Sequence, residues 1–260
     1  MFPGSTILDV LTAAGLFLGL LGSLELWFYF GNHARKRRTE QPDQLANIQG
    51  ATLGLLALLL GFSFALAAGR FNDRVQLINQ EANAIGTVWL RCDLLPDTAR
   101  EEAHKLLQAY TAQRIALYDA INAAARATAV AESEKLQNRI WEIFSNTAKS
   151  FPDRANVLLP PLNELIDLHG SRMAASQRHM PSVLLGLLIA CSAVSVGSVG
   201  YGCGVAGKRN AVLTTALTFL IAGTLWAIID MDHPRRGLIR VGQQPMLDLQ
   251  KLLLPNAAAR

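Results

Sequence analysis

Four long apolar segments constrain the fold of this chain more than any other feature. They cover residues 7–30, 48–69, 183–205 and 211–229. Each is close to the ~20 apolar residues that a helix needs to cross the ~30 Å hydrocarbon core of a bilayer. Because lipid offers no hydrogen bonds, the backbone polar groups must be paired within each segment. With only four such segments, helices are the structure that meets this requirement. The sequence therefore predicts a multi-pass integral membrane protein whose long polar region lies between the second and third segments.

The composition agrees with a protein of the lipid bilayer that carries a modest extra-membrane part. Hydrophobic residues make up 51% of the chain and charged residues 17%. The net charge is only +4, and the basic residues cluster near the ends of the apolar segments, as expected for contact with anionic lipid headgroups. Nucleic acid is excluded as a partner, because its recognition needs a basic face on a soluble domain. The first apolar segment is predicted to be a retained span, since it is too long for a cleavable signal peptide and no basic region precedes it.

A proline-free stretch joins the second apolar segment to the polar region. No proline occurs between Pro42 and Pro96, and proline is the strongest helix breaker. The sequence therefore predicts one helix over residues 45–95, roughly 75 Å long at a rise of 1.5 Å per residue. Because the apolar residues end at Gly69, this helix is expected to leave the membrane without stopping and to couple the polar region rigidly to the second span.

The polar region keeps a helical pattern, without the alternation that is typical of a strand. We predict a helix after Pro96, a second over residues 130–150, and a third that is interrupted at Pro160-Pro161 and then runs towards the third span. The alanine-rich residues 123–131 are predicted to hold a turn. The predicted fold class is an all-α membrane protein with four transmembrane helices plus an extra-membrane helical bundle formed by extensions of spans two and three. The predicted domains are 1–69 (transmembrane helices 1 and 2), 70–180 (helical domain), 181–229 (transmembrane helices 3 and 4) and 230–260 (charged tail with a short amphipathic helix).

The second apolar segment carries two kinds of side chain at helical spacing. Its small residues, which include Gly50, Gly54 and Gly61, would let helices approach closely in lipid. Its bulky residues form a stripe. Periodicity alone favours ordinary helix packing, whereas the sharper interpretation is the hydrophobic neck of an oligomeric pore, which gates by dewetting. In that interpretation the neck residues are Leu55, Leu58, Phe62 and Leu66.

Charged residues follow the second and fourth segments. Arg70, Arg74 and Glu81 come after the second segment at spacings that allow a shared helix face. They are interpreted either as solvated ion pairs and headgroup contacts or as an ion-attracting vestibule below a pore. The tail motif after the fourth segment could cap the helix end, bind an ion, or pair with residues 70–81. It comprises Asp230, Asp232, Pro234 and Gly237.

No pattern in the chain predicts a catalytic residue, a metal site or a cofactor. Residues 202–207 match a dinucleotide-binding fingerprint, but they follow no strand, so we interpret them as packing glycines. Glu164, Asp167 and His169 lie close together in sequence, and a solvated helix face is favoured there over a metal site. The three cysteines form neither a disulfide framework nor a metal-ligand spacing. We therefore expect the protein not to be an enzyme.

Three stretches resemble the bestrophin-like domain family, a membrane family of uncharacterised function. The first runs from Phe62 through Arg74 to Glu81-Ala82-Asn83-Ala84-Ile85-Gly86. The other two are the Arg91-x-Asp93-Leu94-Leu95-Pro96 segment and the Asp230-x-Asp232-x-Pro234-x-x-Gly237 tail.

That family is in turn distantly similar to the bestrophins, pentameric channels for anions and sometimes cations, with four spans per subunit and a large cytosolic helical domain. Their second span lines a hydrophobic neck and continues into an aromatic-x-x-Arg segment, which Phe71-Asn72-Asp73-Arg74 resembles. Asp232-His233-Pro234 matches the start of their acidic-x-Pro-Phe-Gly tail, but Arg235-Arg236 replaces the aromatic residue before Gly237. No acidic calcium-binding run follows, which argues against gating by calcium.

The resemblance implies an oligomeric ion channel, a homopentamer that conducts inorganic ions, and anions in particular, through a pore lined by the second span. It also implies a cytoplasmic helical domain, whereas the basic residues near the span ends are too evenly divided for the positive-inside rule to decide. The alternative is a non-conducting membrane scaffold or sensor whose helical domain binds a partner. A weaker alternative is a membrane enzyme that uses Asp230, Asp232 and Glu81 around an ion.

Overall fold

The computed structural model describes residues 3–36, 42–120, 122–233 and 237–254, and within these ranges it contains helices but no strand. Four helical stretches are long and apolar enough to cross a membrane. The chain forms two compact units, the first of Met1–Phe71 with His179–Arg240 and the second of Asn72–Arg178 with Val241–Arg260. The helices are α1 (Pro3–Arg35), α2 (Pro42–Arg91), α3 (Asp97–Asp119), α4 (Ala123–Ser150), α5 (Pro152–Gln177), α6 (Ser182–Ala206), α7 (Ala211–Asp232) and α8 (Gln244–Leu253), and a 3-10 turn, Cys92–Leu94, follows α2.

The helix α2 is unbroken over 50 residues, which confirms the continuous helix predicted from the proline-free stretch. At 1.5 Å per residue it is about 75 Å long, more than twice the ~30 Å thickness of a hydrocarbon core. Its apolar residues end at Gly69, and the second unit begins at Asn72. Residues 48–69 are therefore the apolar part of α2, and they have the length of a membrane span.

Apolar side chains from all four spanning helices meet in the core of the first unit. Leu24 of α1, Leu56 of α2, Val196 of α6 and Leu225 of α7 are almost completely buried there. Side chains of this size stabilise a helical core through close packing, while the outer faces of the same helices stay apolar because they meet lipid.

Glycines of α6 allow a close contact with α1 in the first unit. A Cβ at Gly200 would collide with the backbone carbonyl of Leu24 on α1, and one at Gly204 would collide with that of Phe28. Small residues allow backbones to approach closely in lipid, where apolar burial alone gives little driving force. These glycines therefore fix how α1 packs on α6.

The helices α5 and α6 are separate, so the third span does not extend into the second unit as one continuous helix. The helix α5 ends at Gln177, and α6 begins at Ser182 after Pro181 at its N-cap. Proline disfavours the helical conformation in the residue before it, here Met180, and this explains the break. The predicted bundle is corrected accordingly: only span two continues into it.

Two consecutive prolines lie inside α5 without interrupting it, contrary to the prediction. Pro160 and Pro161 lack the N–H groups that would bond the carbonyls of Asn156 and Val157. Both of those residues are exposed, so water can take the place of the missing donors. The opposite face of the helix is held by packing. Its buried residues are Leu158, Leu162, Leu165 and His169.

The helix α4 begins earlier than predicted, because residues 123–131 form its first turns and not a connection. The side chain of Asn122 accepts a hydrogen bond from the N–H of Ala125 at 2.8 Å and caps the helix. Asparagine is among the preferred N-cap residues, and alanine is the strongest helix former. The connection from α3 is correspondingly short.

The second unit is a helical bundle of α3, α4 and α5, completed by the outer part of α2 and by α8. The helix α8 confirms the predicted short amphipathic helix: Met246, Leu249 and Leu253 are buried on one face. Buried apolar residues come from every helix of the bundle. They include Ile85, Leu107, Ile140, Phe144 and Leu162.

Candidate functional site

The bulky stripe of α2 lies on an exposed face of the helix. Leu56 and Ala67, on a different face, are buried in the core of the first unit. The stripe residues are spaced by three or four positions, which places them on one side of a helix. They are Leu55 (55% exposed), Leu58 (54%), Phe62 (63%) and Leu66 (53%).

The small residues of α2 also make no close contact with other helices of the chain in its described part. A Cβ built on Gly50, Gly54 or Gly61 would meet no atom of another residue within 4 Å, outside the helix's own backbone. This is the opposite of Gly200, whose added Cβ would collide with α1. The close packing expected for the glycines of α2 therefore does not occur among the described residues of the chain.

Arg70 is bound to the end of α7. Its Nη1 lies 3.3 Å from Oδ1 of Asp232. The Asp232 carboxylate also accepts the backbone N–H of Met180, at 3.0 Å and 2.9 Å from its two oxygens. Nδ1 of His179 lies 3.0 Å from the backbone carbonyl oxygen of Asp232. Asp232 thus fixes the chain that leads into α6, and it holds the charge of Arg70 at the span end.

Asp230 organises the turn that follows α7. Its two carboxylate oxygens accept the backbone N–H groups of Leu238 at 3.2 Å and of Ile239 at 2.7 Å. Gly237 has a φ of 97°, and a Cβ there would collide with the Asp230 carboxylate. The Asp and Gly of the tail motif therefore have a structural reason to occur together. Pro234 lies outside the described residues.

Arg74 is buried, and its guanidinium bonds the carbonyl end of α5. Nε donates to the carbonyl of Ala175 at 3.2 Å, and Nη2 donates to that of Arg178 at 2.7 Å. The last carbonyls of a helix have no partner within it, and a guanidinium satisfies them and complements the helix dipole. This setting differs from the open vestibule position expected for Arg74.

Glu81 is fully buried inside the second unit, and this also differs from the expected vestibule position. Its Oε1 accepts hydrogen bonds from Nε of Arg114 at 2.7 Å and from the hydroxyl of Tyr110 at 2.7 Å. Its Oε2 accepts from Nη2 of Arg114 at 3.2 Å and from Nη1 of Arg172. Glu81 therefore has its lone pairs fully used within one chain, which leaves it unsuited to attract ions from solvent.

Further polar residues extend these contacts into what we call the Glu81 network. The hydroxyl oxygen of Tyr110 accepts Nε2 of Gln137 at 3.2 Å and lies 3.3 Å from Nδ1 of His169. Because the Tyr110 proton is donated to Glu81, Nδ1 of His169 must carry the proton of that bond. Nη2 of Arg172 donates to Oε1 of Gln243 at 3.4 Å. The network comprises Glu81, Tyr110, Arg114, Gln137, His169, Arg172 and Gln243.

The network holds its acid and its histidine in fixed charge states. Burial alone would raise the pKa of Glu81, but the guanidiniums of Arg114 and Arg172 outweigh it, and the pKa is lowered. Burial, reinforced by the positive charges of both arginines, lowers the pKa of His169 to about 4. At neutral pH Glu81 is therefore ionised and His169 is neutral.

Sequence reasoning missed this network. Its members come from four helices and the segment before α8, so no local spacing reveals them. The only signal is polar residues at buried positions: Arg114 follows Tyr110 by one helical turn and Leu107 by two, on the face that packs inward. His169 was expected on a solvated face with Glu164 and Asp167, and it is instead buried while the two carboxylates are exposed.

Neither of the other sequence patterns forms a site in the described part of the chain. Residues 202–207 end α6, where Gly207 takes the left-handed C-cap conformation with a φ of 64°. Among the described residues, no group of three or more histidine, cysteine, aspartate or glutamate side chains could hold a metal ion. The carboxylates of Asp230 and Asp232 are bonded to backbone N–H groups, which is a structural role.

Four apolar helices and an exposed bulky face on a helix that continues into a polar bundle define an α-helical integral membrane protein. A family model described as the Bestrophin-like domain matches residues 16–246. The chain therefore belongs to the Bestrophin-like domain family. No curated protein sequence matches it.

Solved structures agree with this assignment at the level of the fold. A tyrosine-to-alanine variant of a bacterial bestrophin homologue from Klebsiella pneumoniae superposes with a TM-score of 0.70 at 13% identity, covering 92% of this chain and 98% of that one. A structure of a bestrophin homologue from the same organism, phased on zinc, gives a TM-score of 0.68 at 12% identity, covering 94% and 97%. The chain has the fold of these bacterial homologues.

Proposed function

We propose that this protein is an oligomeric ion channel whose pore is lined by α2. Family membership and the bestrophin fold support the class of function. The observation that carries the assignment of the lining is the exposed bulky face of α2, with Leu55, Leu58, Phe62 and Leu66 turned away from the core of their own unit. A ring of such side chains around an axis makes a hydrophobic constriction.

If the protein were a non-conducting scaffold or sensor, we would expect α2 to be wholly buried against its own subunit. The exposed stripe does not fit that expectation, and the open glycines of α2 offer a second surface for contact between subunits. A ring of subunits would use both faces, with the bulky residues towards the axis and the small residues towards a neighbour.

The subunit count is the first test, by native mass spectrometry of the protein in mild detergent. A closed ring, with five subunits as the proposed number, makes an axial pore possible. A stable monomer or dimer removes the axis and favours the scaffold or sensor.

The neck is tested by widening it. Phe62→Ala combined with Leu66→Ala should raise single-channel conductance or ion flux into liposomes, because two bulky side chains per subunit leave the constriction. Phe64→Ala is the matched control, since Phe64 is also exposed but lies on the opposite side of the same helix. Equal currents in the two variants would remove these residues from the pore lining.

For selectivity we propose a preference for anions that depends on Arg70. Its side chain is 25% exposed and keeps a positive charge at the end of the span, although Asp232 partly offsets it. Arg70→Gln should shift the reversal potential in a sodium chloride gradient towards the cation value. A wild-type reversal potential already at the cation value would exclude the anion preference and leave the channel itself intact.

We also propose that the second unit lies in the cytoplasm. A cysteine in place of Glu134, an exposed residue of α4, should react with an impermeant maleimide only after cells are opened. Burial raises the pKa of the Cys92 thiol to about 12, so this native cysteine should give little background. Labelling of intact cells would place the unit outside.

A further inference from the structure

The Glu81 network contains more positive than negative charge. Its ion pairs join one carboxylate, Glu81, to two guanidiniums, those of Arg114 and Arg172. The Arg114 and Glu81 side chains are 1% and 0% exposed, and that of Arg172 is 12% exposed. His169 adds no charge at neutral pH, because burial and the two arginines lower its pKa to about 4. The network therefore carries one uncompensated positive charge in a largely buried place.

The same network also has hydrogen-bond donors without an acceptor. Nε2 of Gln243 and Nη1 of Arg114 are buried and have no partner among the described residues. The amide oxygen of Gln243 accepts from Arg172, so its NH₂ group is the end that is left without an acceptor. A buried donor without an acceptor is expensive, which makes such groups rare in folded proteins.

The third buried atom of the network without a partner is a nitrogen of His169, and it is not a donor. Nε2 of His169 is an acceptor, because Nδ1 carries the proton that is donated to Tyr110. An anion has no reason to approach it. Of the two unpaired donors, the one of Gln243 lies beside Arg172, which is the arginine of the network that also reaches solvent.

We propose that a small inorganic anion of single charge, such as chloride, binds at this edge, against the guanidinium of Arg172 and the amide of Gln243. It would accept the unpaired Gln243 N–H and offset the excess charge of the two arginines. The partial exposure of Arg172 provides access from solvent, and the burial of its neighbours limits the ligand to a compact ion. This site lies within the second unit, and it does not depend on ion conduction.

A water molecule at the same edge is the competing occupant. Water would also accept the Gln243 N–H, but it would leave the positive charge uncompensated. The two occupants differ in their response to Gln243→Glu. This isosteric change places a second carboxylate beside Arg172 and supplies the negative charge that the anion would bring.

The experiment is thermal unfolding in detergent, with sodium chloride exchanged for sodium gluconate at constant ionic strength. Gluconate is too bulky for a largely buried site. The wild-type Tm is expected to rise by several degrees with chloride and to reach a plateau, as for a ligand that binds only the folded state. Gln243→Glu should have a higher Tm than wild type in gluconate and no dependence on chloride. Gln244→Glu is the control, because this exposed neighbour lies outside the network and should keep the chloride dependence.

Two results would overturn the proposal. One is a wild-type Tm that does not depend on chloride, which would leave water as the occupant. The other is an equal chloride dependence in Gln243→Glu, which would place the bound anion elsewhere, for example in a pore. Should Gln243→Glu fail to fold, anomalous diffraction from wild-type crystals in bromide decides: a peak within hydrogen-bonding distance of Gln243 and Arg172 supports the site, and none there excludes it.

Discussion

The two units of this chain are each stabilised internally by different forces. The core of the first unit is apolar, and its aspartates at the end of α7 accept backbone N–H groups at the edge of the unit. The core of the second unit contains a fully buried carboxylate and guanidinium, Glu81 and Arg114. The removal of one contact from an apolar core lowers its stability by a small amount, whereas a buried ion pair that loses one partner leaves an uncompensated charge. The units should therefore respond very differently to single substitutions.

The largest effect is expected for Glu81→Leu, which leaves two guanidiniums without their carboxylate. Removing one partner of a buried ion pair typically lowers the free energy of unfolding by about 3–5 kcal/mol, enough to unfold the bundle. Circular dichroism and hydrogen exchange of the amides of α3 to α5 would measure it. Glu102→Ala is the matched control, because Glu102 pairs with Arg139 at 2.7 Å on the surface, where such pairs contribute less than about 1 kcal/mol. Similar losses in both variants would contradict the buried-charge argument.

A smaller but clear effect is expected in the first unit from a single methyl group. Gly200→Ala places a Cβ against the carbonyl of Leu24 and should lower the free energy of unfolding by about 1–3 kcal/mol through overpacking. Gly61→Ala adds the same group where its own chain leaves open space. The fold of the subunit should be unchanged or stabilised by up to about 1 kcal/mol, since alanine favours the helix. Thermal unfolding of both variants tests the contrast, and a loss at Gly61 as large as that at Gly200 would count against it.

A substitution at Gly61 also distinguishes an effect on the fold of the subunit from an effect on its assembly. A Cβ at this exposed position would meet no atom of another residue of the chain within 4 Å, so a leucine should leave the fold of the isolated subunit intact. If α2 packs against a neighbouring subunit through its small residues, Gly61→Leu should shift the native mass spectrum from the ring towards smaller species. A variant that keeps both its Tm and its full subunit count would show that this face meets lipid.

The sequence predicted the first unit better than the second because hydropathy is a property of consecutive residues. The four spans and the unbroken α2 follow from apolar runs and from the absence of proline between Pro42 and Pro96. Where local rules competed, propensity and packing decided. The alanines after Asn122 became helix, and Pro160-Pro161 stayed within α5 because its buried leucines hold it. Tertiary packing outweighs a local breaker when the freed carbonyls can reach water.

The candidate site shows the same limit. The stripe of α2 could be predicted because its residues share one helix face, and its exposure in the chain agrees with that pattern. The roles of Arg74 and Glu81 could not, since their partners lie on other helices. Arg74 bonds carbonyls at the end of α5, and Glu81 bonds arginines of α3 and α5. A single sequence gives the order and spacing of the charged residues along the chain. It does not show which residue of a distant helix supplies the opposite charge.

The smallest effect expected here is a dependence of stability on pH that comes from His169. Burial and the nearby arginines lower its folded-state pKa to about 4, below the ordinary value of 6.5. Between these values the unfolded chain binds more protons than the folded one, so the stabilisation is complete above about pH 6.5 and is lost as the pH falls towards 4.

Wild-type Tm should fall by a few degrees between pH 7.5 and 5.5, a range that covers only part of this window. His169→Asn, whose amide can still donate to Tyr110, should lose part of that slope, while His104→Asn, outside the network, should keep it. An unchanged slope in His169→Asn would mean that the pKa of His169 in the folded protein is not lowered from its ordinary value, and the charge assigned to the Glu81 network would then have to be revised.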